Sequence, residues 1–144
     1  MSIFVEDNDT IEIAVHYVEE NGNVVVFDEP TEHTTTIKIQ FRRPDFSISQ
    51  RLVATSTVTD QSGNQTLNLM ILQNNLIYFL AKSWDAKEPD TKEPDTKDAE
   101  GKVVPGKVVP GKPIELNAEN IGRLRVEVAR SVVNKLVPAV GQIM

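Results

Sequence analysis

The chain has no cysteine, two histidines and few aromatic residues (6%) among its 144 residues. The absence of cysteine excludes disulfide bonds, thiolate metal sites and cysteine nucleophiles. No basic leader precedes an apolar run, so the sequence predicts neither a secretory signal nor a transit peptide. The longest apolar stretch, Leu67 to Leu80, contains four polar residues and is too short and too polar to span a bilayer. These absences favour a protein of the cytosol, or of a particle assembled there, without a membrane partner.

The charge is acidic but unevenly distributed along the chain. Lysine and arginine number 15 and the acidic residues 21, which gives a formal net charge of −6. Residues 87–113, which we call the arm, contain six lysines and six acidic residues, so the net charge belongs to the remainder. An acidic surface argues against binding to nucleic-acid phosphates, which requires cationic residues.

The first third of the chain has the patterns of β-strands. Apolar and polar residues alternate from Thr10 to Val18 and again from Thr34 to Phe41, and Val24 to Phe27 is continuously apolar. Alternation with a period of two predicts half-buried strands. Asn21-Gly22 predicts the turn of a hairpin, because both residues tolerate positive φ. We therefore expect a three-stranded antiparallel sheet whose apolar face needs a cover.

The remaining sequence predicts about three helices, and hence a single α+β domain spanning 1–144. Ser47 and Gln50 have the spacing of a capping box, which predicts a helix from about Ser47 to about Ser56. Leucines at helical spacing predict a second helix from Thr66 to Trp84, and its broad apolar surface indicates a central position. Asn117 is a suitable N-cap for a C-terminal helix that Pro138 ends or kinks.

The C-terminal helix has an apolar stripe that allows two interpretations. It is either a face buried between two elements or a surface for protein contacts. Together with one aromatic residue, the stripe supplies the predicted partner-binding residues: Ile121, Leu124, Val128, Val132, Leu136 and Trp84.

The arm is built from two pentapeptides that are each duplicated in tandem. KEPDT occupies 87–91 and 92–96, and GKVVP occupies 101–105 and 106–110. Its five prolines exclude a helix and favour an extended or disordered segment. The duplications are either slippage in a tolerant surface loop or an arm that orders on a partner.

Residues for catalysis or for cofactor binding are not evident, and we predict a protein that is not an enzyme. His16, His33 and Glu32 lack the HExxH or HxH spacing of metal sites. Nucleophile elbows, Walker A motifs and GxGxxG motifs are absent from the sequence. Arg42-Arg43 could contact a phosphate or a carboxylate, but a solvated strand end is the simpler interpretation. We predict no catalytic, cofactor-binding or metal site.

The second half of the sequence resembles the small tail assembly chaperones of tailed bacteriophages. An apolar helix runs into a Trp-Asp pair at Leu76 to Asp85, and a hydrophilic loop follows at Glu100 to Pro105. An Ile-x-Leu-x-x-Glu-Asn-Ile-x-x-Leu helix start follows at Ile114 to Leu124, and Phe41 to Pro44 is similar to the Phe-Arg-x-Pro of that group. The sequence departs from the group in its doubled loop and in the valine-rich segment after Leu124.

The resemblance implies a non-enzymatic protein of phage tail morphogenesis. Such proteins bind the tape-measure protein while tube subunits polymerise around it, which protects apolar helical surface from aggregation. The alternative is a structural virion component, such as a small baseplate, tail or neck subunit held in a ring by its neighbours. Both imply tail proteins as partners, with a possible homo-oligomer, in the host cytoplasm during assembly or in the virion. An enzyme or a small-ligand protein is a third possibility, for which the sequence supplies no set of convergent polar residues.

Overall fold

The computed structural model describes residues 2–141, which form two compact units. The first, called the body, comprises Met1–Trp84 with Leu116–Met144, and the second comprises Asp85–Glu115 and contains the arm. The elements of the body, in chain order, are β1 (Thr10–Glu20), β2 (Asn23–Phe27), β3 (Thr35–Arg42), α1 (Phe46–Thr55), β4 (Thr57–Thr59), β5 (Gln65–Leu67), α2 (Leu69–Leu80), β6 (Ala81–Trp84), α3 (Ala118–Gly122) and α4 (Val126–Val140).

The body is an α+β structure whose main sheet has four antiparallel strands in the order β2-β1-β3-β6. The three predicted strands form, and β6 adds a fourth at the edge of β3. Asn21 and Gly22 connect β1 to β2 with φ angles of 51° and 81°. This positive-φ pair makes the tight turn that the Asn-Gly sequence predicts.

The core lies between one face of the sheet and the helices. Alternate residues of β1 and β3 are buried there, because successive side chains of a strand point to opposite faces. α4 packs on β1 and β2, α2 packs on β3 and on α4, and α1 packs on α2. The largest fully buried apolar side chains come from all of these layers: Val15, Ile39, Phe41, Leu52, Leu76, Leu80, Val132 and Leu136.

The helix α1 starts differently from the predicted capping box. Its N-cap is Asp45, whose Oδ1 accepts a hydrogen bond from the amide of Ile48 at 2.8 Å. Ser47 and Gln50 therefore lie inside the helix, and the predicted box is wrong. The polar turn from Asp60 to Asn64 joins β4 to β5, where the carboxylate of Asp60 accepts hydrogen bonds from the amides of Ser62 and Asn64.

The predicted helix from Thr66 to Trp84 is shorter than expected. Gln65–Leu67 pairs with Thr57–Thr59 as a two-stranded ribbon, and Asn68 then caps α2 by accepting from the amide of Ile71. After Leu80 the backbone becomes extended and pairs with β3. The apolar run continues into β6, and periodicity alone does not separate a buried strand from the end of a buried helix.

The predicted C-terminal helix is divided into two. Asn117 caps α3 by accepting from the amide of Asn120 at 2.8 Å, as the sequence predicts. The helix is then interrupted at residues 123–125, and α4 starts at Val126. Pro138 lies inside the last turns of α4, which runs to Val140. Within residues 2–141, no helix combines the length and the apolar character that crossing a membrane requires.

The arm is a two-stranded antiparallel hairpin. Thr91–Lys92 (β7) pairs with Val108–Val109 (β10), and Thr96–Lys97 (β8) pairs with Val103–Val104 (β9). A bridge between Lys87 and Pro113 continues the same register. At the tip, the amide of Asp98 donates to the carbonyl of Lys102 and Gly101 has a φ of 81°. A glycine with positive φ after a type I turn is typical of a three-residue hairpin loop.

The two duplicated pentapeptides lie opposite each other in register. The amides of Glu88 and Glu93 donate to the carbonyls of Lys112 and Lys107, both at 2.9 Å. Acidic residues of one strand thus face lysines of the other, a pairing that stabilises antiparallel strands. Because each strand repeats every five residues, every repeat contributes the same set of cross-strand contacts.

Candidate protein-binding site

Three of the predicted partner-binding residues lie in the core of the body. Val132 and Leu136 are fully buried, and Val128 is almost completely buried, on the face of α4 that covers the sheet. Side chains in these positions cannot contact a partner in this conformation. The stripe is therefore the buried face of α4, the first of the two interpretations that the sequence allows.

The other three predicted residues lie apart from the stripe. Ile121 is buried on α3. Trp84 is half-buried at the end of β6, where it lies opposite Ile39 in the sheet. Leu124, in the break between α3 and α4, is half-buried and lines a surface groove together with Ile121. Leu124 is thus the predicted residue that is accessible at an apolar surface.

The groove lies between α2, α3 and α4 and has a cavity volume of about 420 Å³. Met70 is 72% exposed, Tyr78 47% and Val126 62%, and these three side chains form the exposed part of its lining. Ile77 and Val133 are buried side chains that form part of the lining. An apolar concave surface of this volume has the size and the character of a binding groove. We call it the α2–α4 groove.

The break at residues 123–125 shapes this groove. The amides of Arg123 and Leu124 close the last turn of α3 by donating to the carbonyls of Asn120 and Ile121. Gly122 approaches α2 closely, since a Cβ there would lie 3.3 Å from the Tyr78 hydroxyl. In a continuous helix, Leu124 would be part of α4. Because the helix is interrupted, Leu124 instead lies beside α2.

Two basic residues fix α4 to the sheet. Arg125, at the N-cap of α4, donates to the carbonyl of Gly22 at 2.9 Å and lies 3.6 Å from Glu19. Lys135 donates from Nζ to the carbonyl of Ala14 at 2.7 Å, beyond the point where β2 ends opposite His16. A buried or half-buried carbonyl without a partner is unfavourable, so Lys135 supplies the hydrogen bond that β2 does not extend far enough to make.

The groove has a charge opposite to that of the whole chain. Arg130 is the charged side chain among the described residues that line it. Within residues 2–141, Arg130 makes no ion pair or hydrogen bond. A cation at a mostly apolar groove favours an apolar ligand that also has an acidic group.

A second cavity, of about 400 Å³, contains the Arg42-Arg43 pair that the sequence suggests as an anion contact. There, Arg43 Nε donates to Asp9 Oδ1 at 2.8 Å, and the carboxylate of Asp45 caps α1. Glu6 and Asp7 also line the cavity. The acidic residues balance the arginines, so this cavity lacks the excess positive charge that an anion site needs.

The histidines have separate local partners. His16 Nδ1 lies 2.7 Å from the Thr36 hydroxyl across β1 and β3. His33 lies beside Glu32 at 3.5 Å, and both side chains are exposed. Among residues 2–141, no three metal-ligating side chains form a group.

The sequence patterns do not identify Met70, Tyr78 and Val126 as surface residues of a groove. Periodicity alone groups Met70 with the broad apolar surface of α2 and Val126 with an apolar flank of a continuous C-terminal helix. One signal was present: Leu69 to Leu72 are four consecutive apolar residues, and a helix cannot bury all of them on one face. The break before Val126 has no comparable signal.

Comparison of the chain with protein-family models, with curated proteins and with solved structures found no significant match.

Proposed function

We propose that the protein is a non-enzymatic protein of bacteriophage tail morphogenesis, similar to the tail assembly chaperones, and that it covers an apolar segment of a tail protein in the α2–α4 groove. The observation that supports this most directly is the exposed apolar lining formed by Met70, Tyr78 and Val126 beside Leu124. Exposed apolar surface of this kind is typical of protein contacts. The family itself is proposed from the sequence motifs described above.

The mechanism is the temporary burial of apolar surface. A long helical protein such as a tape measure exposes apolar residues until the tube surrounds it, and such surfaces aggregate. Side chains of the client would fill the groove. The acidic exterior of the chaperone, with its net charge of −6, would repel other complexes and so keep them in solution. Binding would take place in the host cytoplasm, before the tail is complete.

The test is co-expression of the chain with the tape-measure protein of the phage that encodes it. We expect a soluble complex with the wild-type chain and an insoluble tape measure with Leu124→Asp, because a carboxylate in the groove opposes apolar burial. Phe46→Asp is the matched control, since Phe46 is an exposed apolar residue outside the groove. If Leu124→Asp solubilised the client as well as Phe46→Asp does, the groove would not be the client site.

The alternative, a structural virion component, is favoured by one feature of the chain. A hairpin of defined length such as the arm is an element that can bridge neighbouring subunits in a ring. Mass spectrometry of purified particles separates the two proposals. A chaperone leaves the mature particle, so we expect the chain to be absent, and a stoichiometric copy number would favour the structural component.

A further inference from the structure

The amino-terminal segment, Ile3 to Asp7, exposes consecutive apolar side chains next to acidic ones. Ile3 is 93% exposed and Phe4 is 75% exposed, and Val5 is also exposed. Glu6 and Asp7 follow directly. Isolated exposed apolar residues are ordinary, but three exposed in succession, as here within residues 2–141, are typical of a surface used for contact.

The segment is attached to the body at its acidic end. Lys82 Nζ donates to the carbonyl of Asp7 at 2.8 Å, and Arg43 pairs with Asp9 at 2.8 Å. Val5, Glu6 and Asp7 lie next to the start of α1. Ile3 and Phe4 therefore extend from a fixed point, and less entropy is lost when they dock than for a fully flexible tail.

The segment complements the α2–α4 groove in both character and charge. The groove is apolar with one cation, Arg130, and the segment is apolar with two carboxylates, on Glu6 and Asp7.

The amino-terminal segment does not reach the α2–α4 groove of its own chain. On α2, Met70 and Ile77 face the groove, whereas Phe79 faces α1 and lies against Arg51 on the opposite side of the helix. The three residues from Asp7 to Phe4 span at most about 11 Å when extended. That length is close to the diameter of a single helix of about 10–12 Å, so Phe4 does not pass around α2.

We propose that Ile3 and Phe4 of a second copy of this chain insert into the α2–α4 groove and that a carboxylate of the same segment pairs with Arg130. The contact is heterologous, because the segment and the groove are different surfaces. A pair of copies keeps one free segment and one free groove, so further copies add head to tail into a ring or a filament. The role of this contact rests on the proposed function: the segment of a second copy covers the groove until a client displaces it.

The first test is sedimentation equilibrium of the purified full-length chain over a range of concentrations, without any client. We expect concentration-dependent association of the wild type, weakened about 30-fold or more by Phe4→Asp or by Leu124→Asp, as for the loss of a hot-spot residue. Phe46→Asp is the control and should associate like the wild type. A wild type that stays monomeric at every concentration would overturn the proposal.

The second test mixes the two defective variants. The Phe4→Asp copy has an intact groove and the Leu124→Asp copy has an intact segment, so together they can form one productive contact. We expect a 1:1 heterodimer that does not grow further. If the mixture stayed monomeric while both variants kept the circular dichroism and the Tm of the wild type, the segment and the groove would not be partners.

A charge reversal tests the ionic part of the contact. Arg130→Glu should weaken association, whereas Arg130→Lys, which keeps the positive charge, should associate like the wild type. Association of Arg130→Glu as strong as that of the wild type would remove the ion pair from the proposal. Because no client is present in these three experiments, their failure leaves the co-expression result standing, and failure of co-expression leaves theirs standing.

Discussion

Asp95 accepts a hydrogen bond from the backbone amide of Gly106 across the arm, with 2.8 Å between Oδ1 and N. Asp90 and Gly111 make the same contact at the same distance, one repeat farther from the tip. Within the first strand, Lys92 lies 3.5 Å from Asp95, and Lys87 lies near Asp90 in the same way. Each repeat of one strand thus matches one repeat of the other.

This matching changes how the duplications are interpreted. A duplication in one strand alone would leave five residues without cross-strand partners. Two duplications of equal length, one in each strand, keep the strands in register. The register extends from the Lys87–Pro113 bridge at the base to the tip. We therefore interpret the arm as a hairpin lengthened by one matched unit, rather than as independent slippage in a tolerant loop.

Deleting one repeat from one strand should disrupt the hairpin, and deleting a matched pair should not. Without 92–96 alone, the return strand keeps a pentapeptide that has no partner. Without both 92–96 and 106–110, Thr91 comes to lie opposite Val104, which repeats the Thr–Val pairing of the native arm. Amide hydrogen exchange at Ile114, whose amide donates to the carbonyl of Ala86 at the base of the arm, should be fast in the single deletion and slow in the matched one.

The Tm of the body serves as the control for both deletions. The body and the second unit are separate compact units, so we expect both Tm values to stay close to that of the wild type. Equal protection of the Ile114 amide in the two deletions would contradict the matched-unit interpretation.

Gly106 should be irreplaceable in the arm although its φ is unremarkable. A Cβ at this position would overlap the backbone carbonyl oxygen of Glu93. Gly106→Asn should therefore destabilise the hairpin by about 1–3 kcal/mol, the usual cost of overpacking. Gly101→Asn is the matched control: the site is open and has a positive φ, which asparagine tolerates. Hydrogen exchange at the Glu93 amide measures the difference, and equal exchange in the two variants would contradict the close approach.

The β-strands and the core of the body were predictable because both depend on local periodicity. Ile11, Ile13 and Val15 alternate with polar residues, and the structure buries all three. The end of α2 was not predictable, because residues 81–84 form a strand only through pairing with β3, which is remote in sequence. Tertiary pairing of this kind overrides local propensity.

The groove was only partly predictable for the same reason. The sequence predicts Leu124 as a contact residue and the structure places it in the lining of the groove, whereas Val128, Val132 and Leu136 of the same stripe belong to the core. Helical spacing groups Leu124 with Val128 and Val132 only if the helix is continuous, and the break at residues 123–125 separates them. At the C-terminal end of α3, Gly122 lies close to Tyr78, a contact between segments that are far apart in the sequence.

Asp45 rather than Ser47 should control the start of α1. Asp45→Ala removes the side-chain acceptor of the Ile48 amide, and the loss of such a cap costs about 1 kcal/mol. Ser47→Ala changes a residue inside the first turn and should leave stability within about 0.5 kcal/mol of the wild type. Urea unfolding of the two variants provides the comparison. A larger loss for Ser47→Ala would restore the capping box that the sequence suggested.

Leu136 and Leu124 should separate stability from association. Leu136 is fully buried on the face of α4 that covers the sheet. Leu136→Ala should therefore lower the free energy of unfolding by about 2–5 kcal/mol, through lost burial and a residual cavity. Leu124 is half-buried at the groove, and Leu124→Ala should cost less than half as much while still weakening association. Chemical denaturation gives the first quantity and sedimentation equilibrium the second. If Leu136→Ala were nearly neutral in stability but abolished association, the stripe on α4 would be the contact surface and the groove would not.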